Sequence, residues 1–70
     1  AMTYAQAAVK YIEDTFPGAC ASTGYSERYD LMYRVRFRNG TILENANAND
    51  LMREAFAYYH STYKLTGEYP

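Results

Sequence analysis

Arg34, Arg36 and Arg38 recur at every second position of the run Tyr33 to Leu43, which reads Y-R-V-R-F-R-N-G-T-I-L. On an extended strand that spacing sets guanidinium groups about 7 Å apart along one face. Such a positive ridge suits phosphates, or carboxylates on a protein, because arginine holds either through two parallel hydrogen bonds. Tyr25, Met32 and Leu43 are expected beside the ridge, so apolar and aromatic groups interleave with charge as they do at contact surfaces. A solvated outer face, charged to discourage stray strand pairing, has the same pattern.

The other reactive side chains form no set. His60 is the only histidine, and although Glu54 or Asp50 could pair with it, no nucleophile or second ligand accompanies it. Cys20 lacks neighbouring bases and reads as a small buried apolar residue. Glu13 and Asp14 are adjacent on a helix, so their side chains diverge and make no acid–base pair. Glycine-rich phosphate loops, metal-ligand spacings and a Ser/His/Asp set are missing. The chain is therefore expected to be non-enzymatic, with no catalytic residues, no cofactor and no metal.

The elements that position the arginines follow from periodicity. Thr3 and Gln6 have the spacing of a capping box, and Ala5, Ala8, Val9, Ile12 and Phe16 line one face of the helix that follows, until Pro17 and Gly18 stop it. Ala19 to Ser26 is a run of small residues that its neighbours assign to a strand. A two-residue loop at Glu27 and Arg28 would set Cys20, Ser22 and Gly24 beside Val35, Tyr33 and Leu31. In the central strand Leu31, Tyr33, Val35 and Phe37 face the core, and Met32 and the arginines face outward. Asn39-Gly40 is the strongest short hairpin signal, and as a two-residue type I′ turn it places Ile42 on the core face and Leu43 on the outer one. Asn47 and Asp50 read as the cap of a second helix whose stripe is Leu51, Met52, Ala55, Phe56, Tyr59 and Tyr63, with Gly67 and Pro70 ending it.

The expected fold is α+β: helix, three-stranded antiparallel sheet, helix, in one domain spanning residues 1–70, with both helices on one sheet face and the other face open. At this length a chain buries only about 60% of the surface it exposes unfolded, so the core is small. A net charge of -1 excludes the strong basic excess of a dedicated nucleic-acid binder. The single cysteine excludes an internal disulfide and fits a reducing, cytoplasmic setting. No apolar run reaches the roughly 18 residues of a membrane span, so a membrane role is not expected. Nine tyrosines without tryptophan suit half-buried edges and contact surfaces. Tyr58 lies off the helix stripe and Tyr69 in the tail, so either could dock a partner.

The element order resembles the double-stranded RNA-binding domain, a family that contacts RNA through its first helix, its first strand loop and a lysine cluster opening its last helix. Here Asn47, Asn49 and Asp50 stand where that cluster belongs, with only Arg53 following, and no residue role is carried over. In size and format the chain also resembles phage and mobile-element inhibitors of host machinery, such as anti-CRISPR proteins. The leading expectation is a protein-interaction module using Arg34, Arg36, Arg38, Tyr25, Met32 and Leu43. The alternative is nucleic-acid binding through the arginine face, with Tyr25 stacking on a base. Self-association through the sheet face or an edge strand is a third possibility.

Overall fold

Thr3 opens the first helix as its spacing with Gln6 predicts: Thr3 Oγ1 accepts from Gln6 N at 3.1 Å, and Gln6 Oε1 accepts from Thr3 N at 2.9 Å. A computed structural model describes residues 1–70. It shows α1 (Tyr4–Thr15), β1 (Cys20–Tyr25), β2 (Leu31–Arg36), β3 (Ile42–Asn45) and α2 (Ala48–Thr66), the expected α-β-β-β-α order. Gly18 makes the turn out of α1 at φ 88°, in the left-handed region, and a side chain there would meet Arg38 Nε at 2.7 Å. Glycine answers both demands.

The sheet is antiparallel throughout in the order β1-β2-β3, but both registers differ by one residue from the expected ones. Ala21, Thr23 and Tyr25 pair with Val35, Tyr33 and Leu31; Val35 pairs with Leu43, and Arg36 with Ile42. The cause is the same in each hairpin. Ser26 N bonds Asp30 O and Tyr29 N bonds Ser26 O, both at 2.9 Å, so Glu27, Arg28 and Tyr29 form the loop. Phe37 N bonds Thr41 O and Gly40 N bonds Phe37 O, again at 2.9 Å, so Arg38, Asn39 and Gly40 form the second. Each loop has its third residue at positive φ, Tyr29 at 62° and Gly40 at 90°, the three-residue form of hairpin connection. Ser26 Oγ holds the first by accepting from Arg28 N at 3.2 Å and Asp30 N at 3.1 Å, and Asn39 Oδ1 holds the second by accepting from Thr41 N at 3.0 Å.

Because side chains alternate with a period of two, a one-residue slip exchanges the faces. Leu43 thus packs half-buried against the core, and Ile42, expected inside, is 46% exposed on the open face. Cys20 is likewise exposed rather than buried.

The core joins Ile12 and Phe16 of the first helix and its C-cap, Tyr33, Val35 and Phe37 of the sheet, and Ala48, Leu51 and Ala55 of α2. Phe16 is its hub. Its ring meets Phe56 at 5.1 Å, Tyr59 at 5.2 Å and Phe37 at 6.0 Å, in tilted to edge-on contacts that aromatic quadrupoles favour. α1 lies on β1, and α2 on β3 and β2, both on the same side. Asn47 caps α2 by accepting from Asp50 N at 3.0 Å, and Gly67 ends it at φ 78°. At the free edge of the sheet, Glu13 Oε2 accepts from Ala21 N at 3.1 Å and occupies a position an added strand would use.

Candidate functional site

The face of the sheet turned away from the helices carries Cys20, Ser22 and Gly24 from β1, Met32, Arg34 and Arg36 from β2, and Ile42 and Glu44 from β3, since paired residues share a face. Of the residues expected there, Arg34, Arg36 and Met32 are present. Tyr25 pairs with Leu31, on the helix side of the strand alternation, but at the end of β1 it still borders a depression beside Met32 and Arg34. Leu43 is absent from this face, for the reason already given. Arg38 lies in the β2–β3 loop, outside the strand, and folds over Gly18. The expected row of three guanidiniums is therefore two.

Those two differ. Arg34 Nη2 lies 3.3 Å from Glu44 Oε1 on the neighbouring strand, with both side chains about half exposed. In that setting a cross-strand pair contributes roughly 0.2–1 kcal/mol and is screened by salt. Arg36 has no carboxylate partner, because the three ion pairs of the protein are Lys10–Asp14, Arg34–Glu44 and Arg53–Asp50. Its cross-strand neighbours are Cys20 and Ile42, both exposed and uncharged. An unneutralised guanidinium between an exposed isoleucine and an exposed thiol is the most distinctive chemistry of this face. Beside Arg34, the missing side chain of Gly24 leaves a depression of about 100 Å³ bordered by Ser22, Thr23, Tyr25, Met32 and Glu44. Ile42 and the Gly24 depression escaped the sequence reading, because both follow from loop length.

Other candidates have internal duties. Tyr58 docks on the β2–β3 loop: Asn39 Nδ2 donates to its phenol oxygen at 2.7 Å, the Thr41 hydroxyl shares a hydrogen bond with it at 2.8 Å, and its ring lies 5.1 Å from that of Phe37. The bond from Thr41 and then that from Asn39 favour the phenolate and lower its pKa from the ordinary value. Tyr69 stacks on Tyr59 at 4.5 Å and Tyr63 at 4.3 Å, and the adjacent Pro70 is buried. Both tyrosines are thus engaged within the chain, and Tyr69 keeps 46% of its surface exposed. His60 stacks on Phe56 at 5.7 Å, while Glu54 accepts from Asn45 and Asp50 pairs with Arg53. No three His, Cys, Asp or Glu side chains converge to hold a metal. No helix is long and apolar enough to cross a membrane.

The fold and face define a small α+β domain with helices on one side of an antiparallel sheet and an uncovered, mixed apolar and cationic surface on the other. The chain matches no family model, and no significant match was found among curated proteins or solved structures.

Proposed function

We propose that this protein is a non-enzymatic interaction module whose open sheet face binds a protein partner bearing carboxylates. The observation that carries the reading is Arg36, a cation without an internal counter-ion, flanked by exposed Ile42 and Cys20 on a surface that neither helix covers. A guanidinium bordered by apolar groups loses water on contact and pairs with a carboxylate in two-point geometry, the usual make-up of an arginine hot spot. Two guanidiniums against the single carboxylate of Glu44 leave the face positive in a protein of net charge -1. The small, single-domain format suits an inhibitor that covers a working surface of a host protein, the role filled by phage and mobile-element inhibitors.

Nucleic-acid binding is the less supported reading, since Arg34 is neutralised by Glu44 and Arg38 is turned aside. The test is isolation of a partner on immobilised protein, purification of that partner, and titration against wild type and Arg36→Ala. The expected result is affinity weakened by about tenfold or more. Equal binding of the two forms would remove the open face from the interaction.

A further inference from the structure

Ser26 and Asp30 fix which main-chain groups of β1 face β2, because Ser26 N bonds Asp30 O and bonded and open pairs alternate along an antiparallel ladder. Gly24, Ser22 and Cys20 therefore bond Met32, Arg34 and Arg36, while Tyr25, Thr23 and Ala21 turn their N–H and C=O groups outward. β1 is an edge strand, so no strand of the sheet meets those groups. Ala21 N is held by Glu13 Oε2. No turn, cap or side chain bonds the N–H or C=O of Thr23 or Tyr25.

Between those two residues stands Gly24, at a place where its own chain does not demand a glycine. Of the four glycines it alone lacks a positive φ, and a side chain built on it would meet nothing within 4 Å. The unbroken register from Cys20 to Tyr25 leaves no bulge to explain it. A glycine inside a strand weakens it, and with bulge and bend excluded it marks a place where another backbone comes close. Room for an added strand exists on the helix side as well. There Thr23 borders an open groove of about 430 Å³ whose other wall is Ala5, Gln6, Val9 and Lys10 of α1.

We infer that β1 pairs antiparallel with β1 of a second copy of the chain, about a two-fold axis at Gly24, so that two three-stranded sheets become one continuous sheet. The edge is complementary to itself. Thr23 and Tyr25 stand one residue to either side of Gly24, so the axis sets Thr23 of each copy opposite Tyr25 of the other, and each of these pairs exchanges two main-chain hydrogen bonds. The two Gly24 residues then form an open pair, with Cα atoms about 4.5 Å apart and no side chains between them. Tyr25, 74% exposed in the single chain, comes to stand beside Thr23 of the other copy, where the groove has space for its ring. Other registers fail. An axis at Thr23 would bring Tyr25 C=O against Ala21 N, which Glu13 already holds, and an axis at Tyr25 would pair Thr23 with Glu27 of the loop. The contact is small, so the dimer belongs to the weak class. It uses no open-face arginine and is independent of the partner-binding reading.

Sedimentation equilibrium on the purified chain, with variants at the axis, tests it. The wild type is expected to dimerise with a dissociation constant between about 10 μM and 1 mM. Gly24→Lys meets no atom of its own chain but sets two like charges opposite each other, and is expected to associate about fivefold or more weakly at low salt while melting like the wild type in dilute solution. Gly24→Glu alone should behave the same way. An equimolar mixture of the two should recover the dimer, because a two-fold axis at position 24 sets lysine against glutamate. Thr23→Pro removes only an outward N–H, which an edge strand tolerates, and should abolish association. A wild type that stays monomeric to about 1 mM overturns the inference. So does a Lys and Glu mixture that associates no better than either variant alone. A dimer dissolved by Arg36→Ala but not by Gly24→Lys also overturns it and places the contact on the sheet face.

Discussion

Tyr29 and Gly40 occupy equivalent positions in two hairpins of the same form, each the third residue of a three-residue loop and each at positive φ. One position has the residue its backbone favours and the other does not. Gly40→Ala is therefore expected to destabilise the protein by about 1 kcal/mol, whereas Tyr29→Gly leaves stability unchanged or raises it by up to about 1 kcal/mol. Urea unfolding of the two variants decides the point. A loss of stability in Tyr29→Gly, measured at a concentration where the protein is monomeric, would mean that the tyrosine ring packs on its own chain.

Cys20 reports the register of β1. Placed opposite Arg36 on the open face, its thiol is exposed and should react with a disulfide reagent in the native protein at the rate of a free surface thiol. If the thiol reacts only after denaturation, Cys20 faces the core and the β1–β2 loop has two residues.

Phe16 links both helices to the sheet through its contacts with Phe37, Phe56 and Tyr59. Phe16→Ala is expected to cost about 3–5 kcal/mol, a large part of the stability of so small a domain. Circular dichroism should show a partly or wholly unfolded protein near room temperature. A cooperative melt close to that of the wild type would show that the aromatic cluster is dispensable.

The phenol of Tyr58 is held by Thr41 and Asn39, which lower its pKa below the unfolded value. For a group whose folded pKa is depressed, the added stability is fully present above the unfolded pKa, near 10, and is lost as pH falls through the folded one. An ultraviolet titration should show an early tyrosine phase, displaced below the ordinary pKa, and Tyr58→Phe should remove that early phase. Persistence of the early phase in the variant would assign it to another ring.

Much of the fold was legible because its signals are local. The Thr3–Gln6 capping box, the Pro17-Gly18 stop, the Asn47 cap, the Gly67 terminus and the alternation from Leu31 to Arg36 each depend on residues within a few positions of one another. The element order and the placement of both helices on one face follow from those signals and from the need to bury two apolar stripes. The candidate site was legible only in part. Arg34, Arg36 and Met32 belong to the open face by alternation along a single strand, which needs no knowledge of its neighbours.

The rest was decided by contacts between segments distant in sequence. Loop length sets which residues of β1 and β3 face outward, and it turns on whether Tyr29 and Gly40 are counted as loop or strand. Local composition does not settle that: Asn39-Gly40 suits a two-residue turn as well as the three-residue loop that forms, and Tyr29 carries no signal for a left-handed conformation. Only the packed sheet, with Leu43 half-buried against the core beside Val35, selects the register. That choice brings Ile42 and Cys20 to Arg36, sends Tyr25 to the helix side and gives Arg34 the counter-ion Glu44. The amino-acid sequence by itself determined which strand carries the arginines, and the tertiary structure decided what stands beside them, because register is a property of pairs of strands.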